Sequence, residues 1–401
     1  MKISMVIVEL LRKLKKNSAL WLVCFLVPCS ILVSSFAGAG QVVSTSTSKL
    51  KVNIDDFKGS DINKINEAIQ FVSRSKGGVV EITRDVLIDQ AIIMYSDVEL
   101  HFSGKIKMKD GVFDNMIRIG GVIVDAKNPN GVCADLKETR NIKILGIGEQ
   151  ASLEGSDIAF LGLNPKTGKQ ESFIGDFYGW RTITILLSNV KGFEIGNFAI
   201  SKTKCWAISH EWGCQDGYLH DLKFSTAGIK NGDGINLRNG CKDILIENIE
   251  GQTGDDTIAC TALNASVMEG KRGENYVWPM QTMGYEYKGK AEAGIENIRI
   301  NNIAATSDHN NVRLLTTSPN IHNISITNVK GNANINVVLI HTGYGNGFNL
   351  GNFKNIKIEG VSNESDSKTL NCEAPILAGQ IKNIQGQVFI NPESKDIKFS
   401  K

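Results

Sequence analysis

Asn297-Ile298-Arg299-Ile300-Asn301-Asn302-Ile303 and Asn323-Ile324-Ser325-Ile326-Thr327-Asn328-Val329 are one phrase written twice, 26 residues apart from Ile298 to Ile324. The same alternation runs through Asn141-Ile142-Lys143-Ile144, Gly217-Tyr218-Leu219-His220-Asp221-Leu222, Asp243-Ile244-Leu245-Ile246-Glu247-Asn248-Ile249 and Asn355-Ile356-Lys357-Ile358-Glu359-Gly360-Val361. Each phrase puts apolar side chains on one face of a short strand and closes with Asn or Gly at a bend. From Tyr218 to Ile244 is again 26 residues, and from Ile244 to Ile298 is 54, which reads as two units. No helical periodicity lies inside the repeat, so it is not a helix-pair solenoid, and the Asn and Leu spacing of a leucine-rich repeat is absent. A unit of about 25 residues suits one coil of a parallel β-helix, whose short strands stack at about 4.8 Å. Asn fits the bends because it tolerates the left-handed conformation and its amide can stack in ladders. Asp61 to Ser73 breaks the pattern: Ile62, Ile65, Ile69 and Val72 line one helical face after Ser60 or Asp61 as N-cap. The expected fold is an all-β parallel β-helix whose open first coil is covered by an N-terminal capping helix.

Composition agrees with a globular chain. Of 401 residues, 44 are Lys or Arg against 42 Asp or Glu, with 6 His, so the net charge is +2. That balance excludes a nucleic-acid reader that relies on a basic face. Hydrophobic content of 42% supports a large core, and 7 Pro with 40 Gly exclude Pro-rich and collagen-like chains.

Arg12, Lys13, Lys15 and Lys16 precede an uncharged apolar run from Ala19 to Val33, and Ala37-Gly38-Ala39 offers a small-residue cleavage site. This is the pattern of a secretory signal peptide over residues 1–39, leaving one β-helix domain over 40–401. The product is expected outside the cytoplasm, extracellular or periplasmic, with no membrane association after cleavage. Six cysteines remain beyond the leader, Cys133, Cys205, Cys214, Cys241, Cys260 and Cys372. Their spacing lacks C-x-x-C and H-x-x-x-H patterns, so no metal site or cofactor is expected. Cys214 and Cys241 open the same phrase on successive coils and should be neighbours.

Two acidic motifs interrupt the polar-out rule. Asn231-Gly232-Asp233-Gly234 is followed 22 residues after Asp233 by Asp255 in Gly254-Asp255-Asp256, and each motif runs directly into an apolar strand. Alone, either motif reads as a turn. At one-coil spacing, Asp233, Asp255 and Asp256 converge on the outer surface. Like charges in contact cannot all ionise freely, so a protonated acid is held beside ionised bases. That division suits glycoside hydrolysis, which needs an acid for the leaving oxygen and a carboxylate to activate water.

Trp206-Ala207-Ile208-Ser209, Cys214, Asn231-Gly232-Asp233-Gly234, Gly254-Asp255-Asp256-Thr257-Ile258-Ala259 and Val312-Arg313-Leu314 resemble, in order and spacing, the polygalacturonase family, glycoside hydrolase family 28. The resemblance covers about residues 50 to 360. It implies an inverting hydrolase of pectin-type, α-linked polysaccharide on a right-handed parallel β-helix. By position, Asp255 matches the general acid, Asp233 and Asp256 the pair that activates water, and Arg313 the arginine of the family's R-I-K motif, which binds substrate. Asn231 in the first motif is a further candidate for substrate contact.

Two positions depart from the family. No His lies between Ala262 and Gly294, where a G-H-G motif belongs, and Leu315 replaces the Lys of R-I-K. His309 and His210 are candidates to compensate, and Tyr344, one coil beyond Arg313, to stack on a sugar. The segment Met268 to Lys290, with Lys271, Arg272, Tyr276, Trp278, Tyr285 and Tyr287, is rich in groups that suit sugar faces and hydroxyls. Without the Lys, a neutral or esterified sugar should suit the subsite better than free galacturonate. The alternatives are a lyase or epimerase on the same fold, and a non-catalytic carbohydrate-binding or adhesion β-helix.

Overall fold

The computed structural model describes residues 49–112, 114–124, 132–134, 137–157, 162–163, 170–171, 183–263, 293–343 and 349–400. The proposed leader and its cleavage site lie outside these residues. No helix among the described residues is long and apolar enough to cross a membrane.

The chain is a parallel β-helix. One sheet of 15 strands and another of 10 run side by side, and successive strands within each come from successive coils. The interior is built from single columns of side chains. Ile144, Ile195, Leu219, Ile246, Ile300, Ile326, Ile358 and Ile381 follow one another in register through eight coils, each fully buried. Burying one such side chain is worth about 1.5–3 kcal/mol, so the column is a main source of stability. The bends behave as the Asn pattern requires. Asn297, Asn323 and Asn355 adopt φ of 57°, 56° and 56°. Their amides form a ladder, Asn297 donating to Asp243 at 2.8 Å, Asn323 to Asn297 at 3.0 Å and Asn355 to Asn323 at 2.8 Å.

The expected helix spans Asp61–Arg74, with Ser60 as N-cap. It buries Ile62, Ile65, Ala68, Ile69 and Val72. Asn66 accepts from the Ile93 amide at 2.8 Å and donates to Ala91 at 3.1 Å. Those bonds satisfy the edge of the strand Ile92–Met94, the outermost of the 10-stranded sheet, which would otherwise be open to pairing with another chain.

Two details of the coil register differ from the expected ones. Ile244 pairs with Gly217, one residue before Tyr218. The ring of Phe193, from the previous coil, fills the space an Ile would take: a Cβ on Gly217 would sit 2.0 Å from it. Ile244 also pairs directly with Ile298, so the 54 residues between them are one coil and not two. Residues 264–292, which include the whole aromatic-rich segment, fall within that coil and outside the described residues. Cys214 and Cys241 are neighbours, since Gln215 pairs with Lys242 and the Lys242 amide donates to the Cys214 carbonyl at 3.1 Å. Both are buried free thiols.

Candidate functional site

The site sits where the 10-stranded sheet begins in two consecutive coils. Strands Ile235–Leu237 and Ile258–Ala262 pair with Ile235 opposite Ile258, which sets Asp233 beside Asp256 one coil away. The glycines of both motifs have one structural cause. A Cβ on Gly232 would lie 2.6 Å from the Ile229 carbonyl, and one on Gly254 would lie 2.2 Å from the same oxygen. Both acidic turns therefore pack against the Thr226–Ile229 turn, and the Gly254 amide donates to the Gly232 carbonyl at 3.1 Å. Asn231, at φ 51°, turns the chain into the first motif.

The three carboxyl groups converge as expected, but in a recess and not on open surface. Asp233 is 4% exposed and Asp256 0%. Asp256 is locked by its neighbours: Asn310 donates to Oδ1 at 2.7 Å and Arg313 Nη1 to Oδ2 at 3.0 Å. Asp255 accepts from the Asp256 amide at 2.9 Å and faces His309 Nδ1 at 3.2 Å. A cavity of about 440 Å³ lies over the group, lined by Asn231, Asp233, Asp255, His309 and Arg313. Asp256 stands behind the wall.

Burial, then the charges of Asp255 and Asp256, push the Asp233 carboxyl well above the ordinary aspartate range. Burial, then Asp256, raise Asp255 to about 6, against the opposing pull of His309 and Arg313. Within a set of interacting carboxyls, ionisation of one discourages the next, so protons are held by the group and not by independent sites. Among the described residues, Asp233 Oδ1 and the Asn236 amide nitrogen are buried without a hydrogen bond of good geometry, although Asn236 stands close enough to Asp233 to pull its pKa down. Buried polar atoms are nearly always satisfied, so this pair marks where a water or a substrate hydroxyl belongs.

His210 does not reach the cavity. Its ring is fully buried inside the coil, stacked on Phe193 at 4.9 Å, with Nδ1 3.1 Å from the Asn236 carbonyl. Burial pushes its pKa down to about 4, so it is a neutral core histidine and not a substrate contact. Tyr344 and the Met268 to Lys290 segment lie outside the described residues. Leu315 is fully buried. Among the described residues there is no group of His, Cys, Asp or Glu able to hold a metal ion.

Five residues of the site escaped the sequence reading. Asn310 lies one coil beyond Asp256 and donates to it, while Asn336, a coil further on, donates to Asn310 at 2.9 Å. Asn236 supplies a buried amide beside Asp233. Arg238 is buried with its guanidinium 5.0 Å over the Trp206 ring, and both line the cavity. His341 accepts from Arg313 Nε at 2.9 Å. The usable signal was register: adding one coil to Asp256 or Leu315 lands on Asn310 or His341.

No family model matches the chain, and no curated protein matches it. Solved structures do share the fold. A tailspike variant of E. coli bacteriophage HK620 in complex with a pentasaccharide is 13% identical with a TM-score of 0.54, over 87% of this chain and 64% of that one. A double mutant of the same tailspike, also with a pentasaccharide, is 12% identical with a TM-score of 0.52 over the same shares. An exopolygalacturonase from Thermotoga maritima is 15% identical with a TM-score of 0.47, over 86% of this chain and 93% of that one. The chain thus spans 64% of the length of the tailspike chains it resembles. At its identity the tailspike likeness is one of fold, the parallel β-helix.

Proposed function

We propose that this chain is a secreted glycoside hydrolase that cleaves an α-linked, pectin-type polysaccharide by direct attack of water. The carrying observation is a cavity where Asp255, with its pKa raised to about 6, stands beside Asp233 and in front of the Arg313-paired Asp256. In mildly acidic solution Asp255 holds a proton and gives it to the departing glycosidic oxygen. Burial is the main cause that holds Asp233 protonated, and the neutrality of Asp255 removes one of the two like charges that add to it, so Asp233 ionises more readily than beside a charged Asp255. The free Oδ1 of Asp233 takes a proton from the attacking water, while Asp256, held by Asn310 and Arg313, supplies fixed negative charge behind it. Arg313 at the cavity wall contacts substrate. Inversion at the anomeric carbon follows from a single displacement of this kind. The tailspike variants that are similar in fold were solved in complex with a pentasaccharide, which fits a polysaccharide partner.

The test is a panel of α-linked polysaccharides incubated with the purified chain and assayed for new reducing ends. Reducing ends without near-ultraviolet absorbance support hydrolysis. Unsaturated, absorbing ends would instead make the chain a lyase, and binding without turnover would make it a carbohydrate-binding β-helix.

A further inference from the structure

The strand Asn336–Thr342 brings His341 to the wall of the cavity that Asp233 and Asp255 line. Register places His341 one coil beyond Leu315, just as Leu339 lies one coil beyond Arg313. Arg313 donates from Nε to His341 Nε2 at 2.9 Å and from Nη1 to Asp256 Oδ2 at 3.0 Å. A ring nitrogen that accepts a hydrogen bond carries no proton, so the neutral imidazole must hold its proton on Nδ1. Burial, then the Arg313 charge, push the His341 pKa down to about 4, and the ring stays neutral above that pH. The Nδ1–H has no acceptor among the described residues, and the half-buried ring faces the cavity.

On the glycoside-hydrolase reading above, we propose that His341 determines specificity: its Nδ1–H donates to an uncharged oxygen of the bound sugar, selecting a neutral or esterified residue over a free uronate. Arg313 fixes which nitrogen is the donor. A carboxylate at this point would meet a neutral donor, since the neighbouring cation Arg313 is already bonded to Asp256 and to the His341 ring. A hydroxyl or ester carbonyl meets the same donor without bringing a charge that must be desolvated. Removing the cation that pairs a desolvated carboxylate is costly, so a subsite whose donor is neutral discriminates against the free acid.

The experiment uses the full chain carrying Asp255→Asn, which keeps the site without turnover. Calorimetric titration compares tetragalacturonate, its methyl ester and a neutral α-linked tetrasaccharide. The ester or the neutral sugar should bind at least tenfold tighter than the free acid. His341→Ala in that background should weaken the preferred ligand about three- to tenfold, the worth of one hydrogen bond, and leave the free acid little changed. His341→Gln, which retains a neutral donor, should restore binding to within about threefold. His341→Lys should reverse the preference toward the free acid, a change that loss of structure alone does not produce. Free acid bound as tightly as ester, or a ratio unmoved by His341→Ala and His341→Lys, overturns the proposal and points to another cation such as Arg238. If no glycan binds any of these proteins, the hydrolase reading itself falls, and the role of His341 with it.

Discussion

Replacing Asp255 with Asn should separate catalysis from stability in opposite directions. The amide matches the carboxyl in shape, keeps an oxygen to accept from the Asp256 amide, and cannot deliver a proton. General acid catalysis is worth about 10²–10⁴-fold, so turnover should fall by that factor or more, with binding retained. Stability should move the other way. A rise of the Asp255 pKa from 3.8 to about 6 means that ionising this carboxyl in the folded chain costs on the order of 3 kcal/mol. Because the folded value is raised, its contribution is complete below about pH 3.8 and is lost as pH climbs through about 6. The Asn variant carries no such charge. It should therefore melt several degrees above the wild-type protein at pH 7 to 8 and close to it at pH 4. Differential scanning calorimetry across pH 4 to 8, with reducing-end assays on the same samples, reads both effects. Turnover within threefold of wild type, or melting curves that stay parallel across that range, would show that Asp255 is neither the acid nor a strained carboxylate.

Arg313→Met leaves Asp256 fully buried without its cation, and breaking such a pair costs about 3–5 kcal/mol; a urea midpoint giving a loss under 1 kcal/mol would show that the pair is not what holds Asp256. Gly254→Ala drives a Cβ to 2.2 Å from the Ile229 carbonyl, so about 1–3 kcal/mol of stability should be lost together with the alignment of Asp255. An alanine variant that melts and turns over like wild type would mean the Thr226–Ile229 turn does not position the acids. Cys214 and Cys241 are buried, and burial raises the Cys241 pKa, so both should resist alkylation in the native chain and react on unfolding. Peptide mass spectrometry after iodoacetamide checks this, and rapid native labelling of either would place them at the surface.

Much of the fold was legible because the β-helix writes its register into the chain. Ile298 and Ile324 repeat at one-coil spacing since each buries on the one before, and Asn323 recurs because its amide bonds the Asn below it. The helix over Asp61–Arg74 showed through its spacing of Ile62, Ile65 and Ile69. Errors arose where one coil borrowed from another. Gly217 carries no apolar side chain because Phe193 fills its place from the preceding coil, and that substitution in space leaves no mark in the local phrase. The 54-residue coil looked like two because length alone cannot distinguish an added coil from an excursion. At the site, Asp233, Asp255 and Asp256 announced themselves by breaking the polar-out alternation next to Gly232, Gly234 and Gly254. Asn310 and His341 did not, since Asn and His are ordinary at strand ends and matter only through what lies one coil away. His210 misled for a related reason: polarity suggested the surface, yet its strand turns it inward against Phe193.

On the proposed function, this cavity adds water across a glycosidic bond with Asp255 as the acid. Digestion of the best polysaccharide of the panel in ¹⁸O-labelled water, followed by mass spectrometry of the fragments, is the decisive experiment. Wild-type protein should place one ¹⁸O on each new reducing end, and the Asp255→Asn variant should yield almost none in the same time. Fragments that are unlabelled, or labelled equally by both proteins, would contradict the claim.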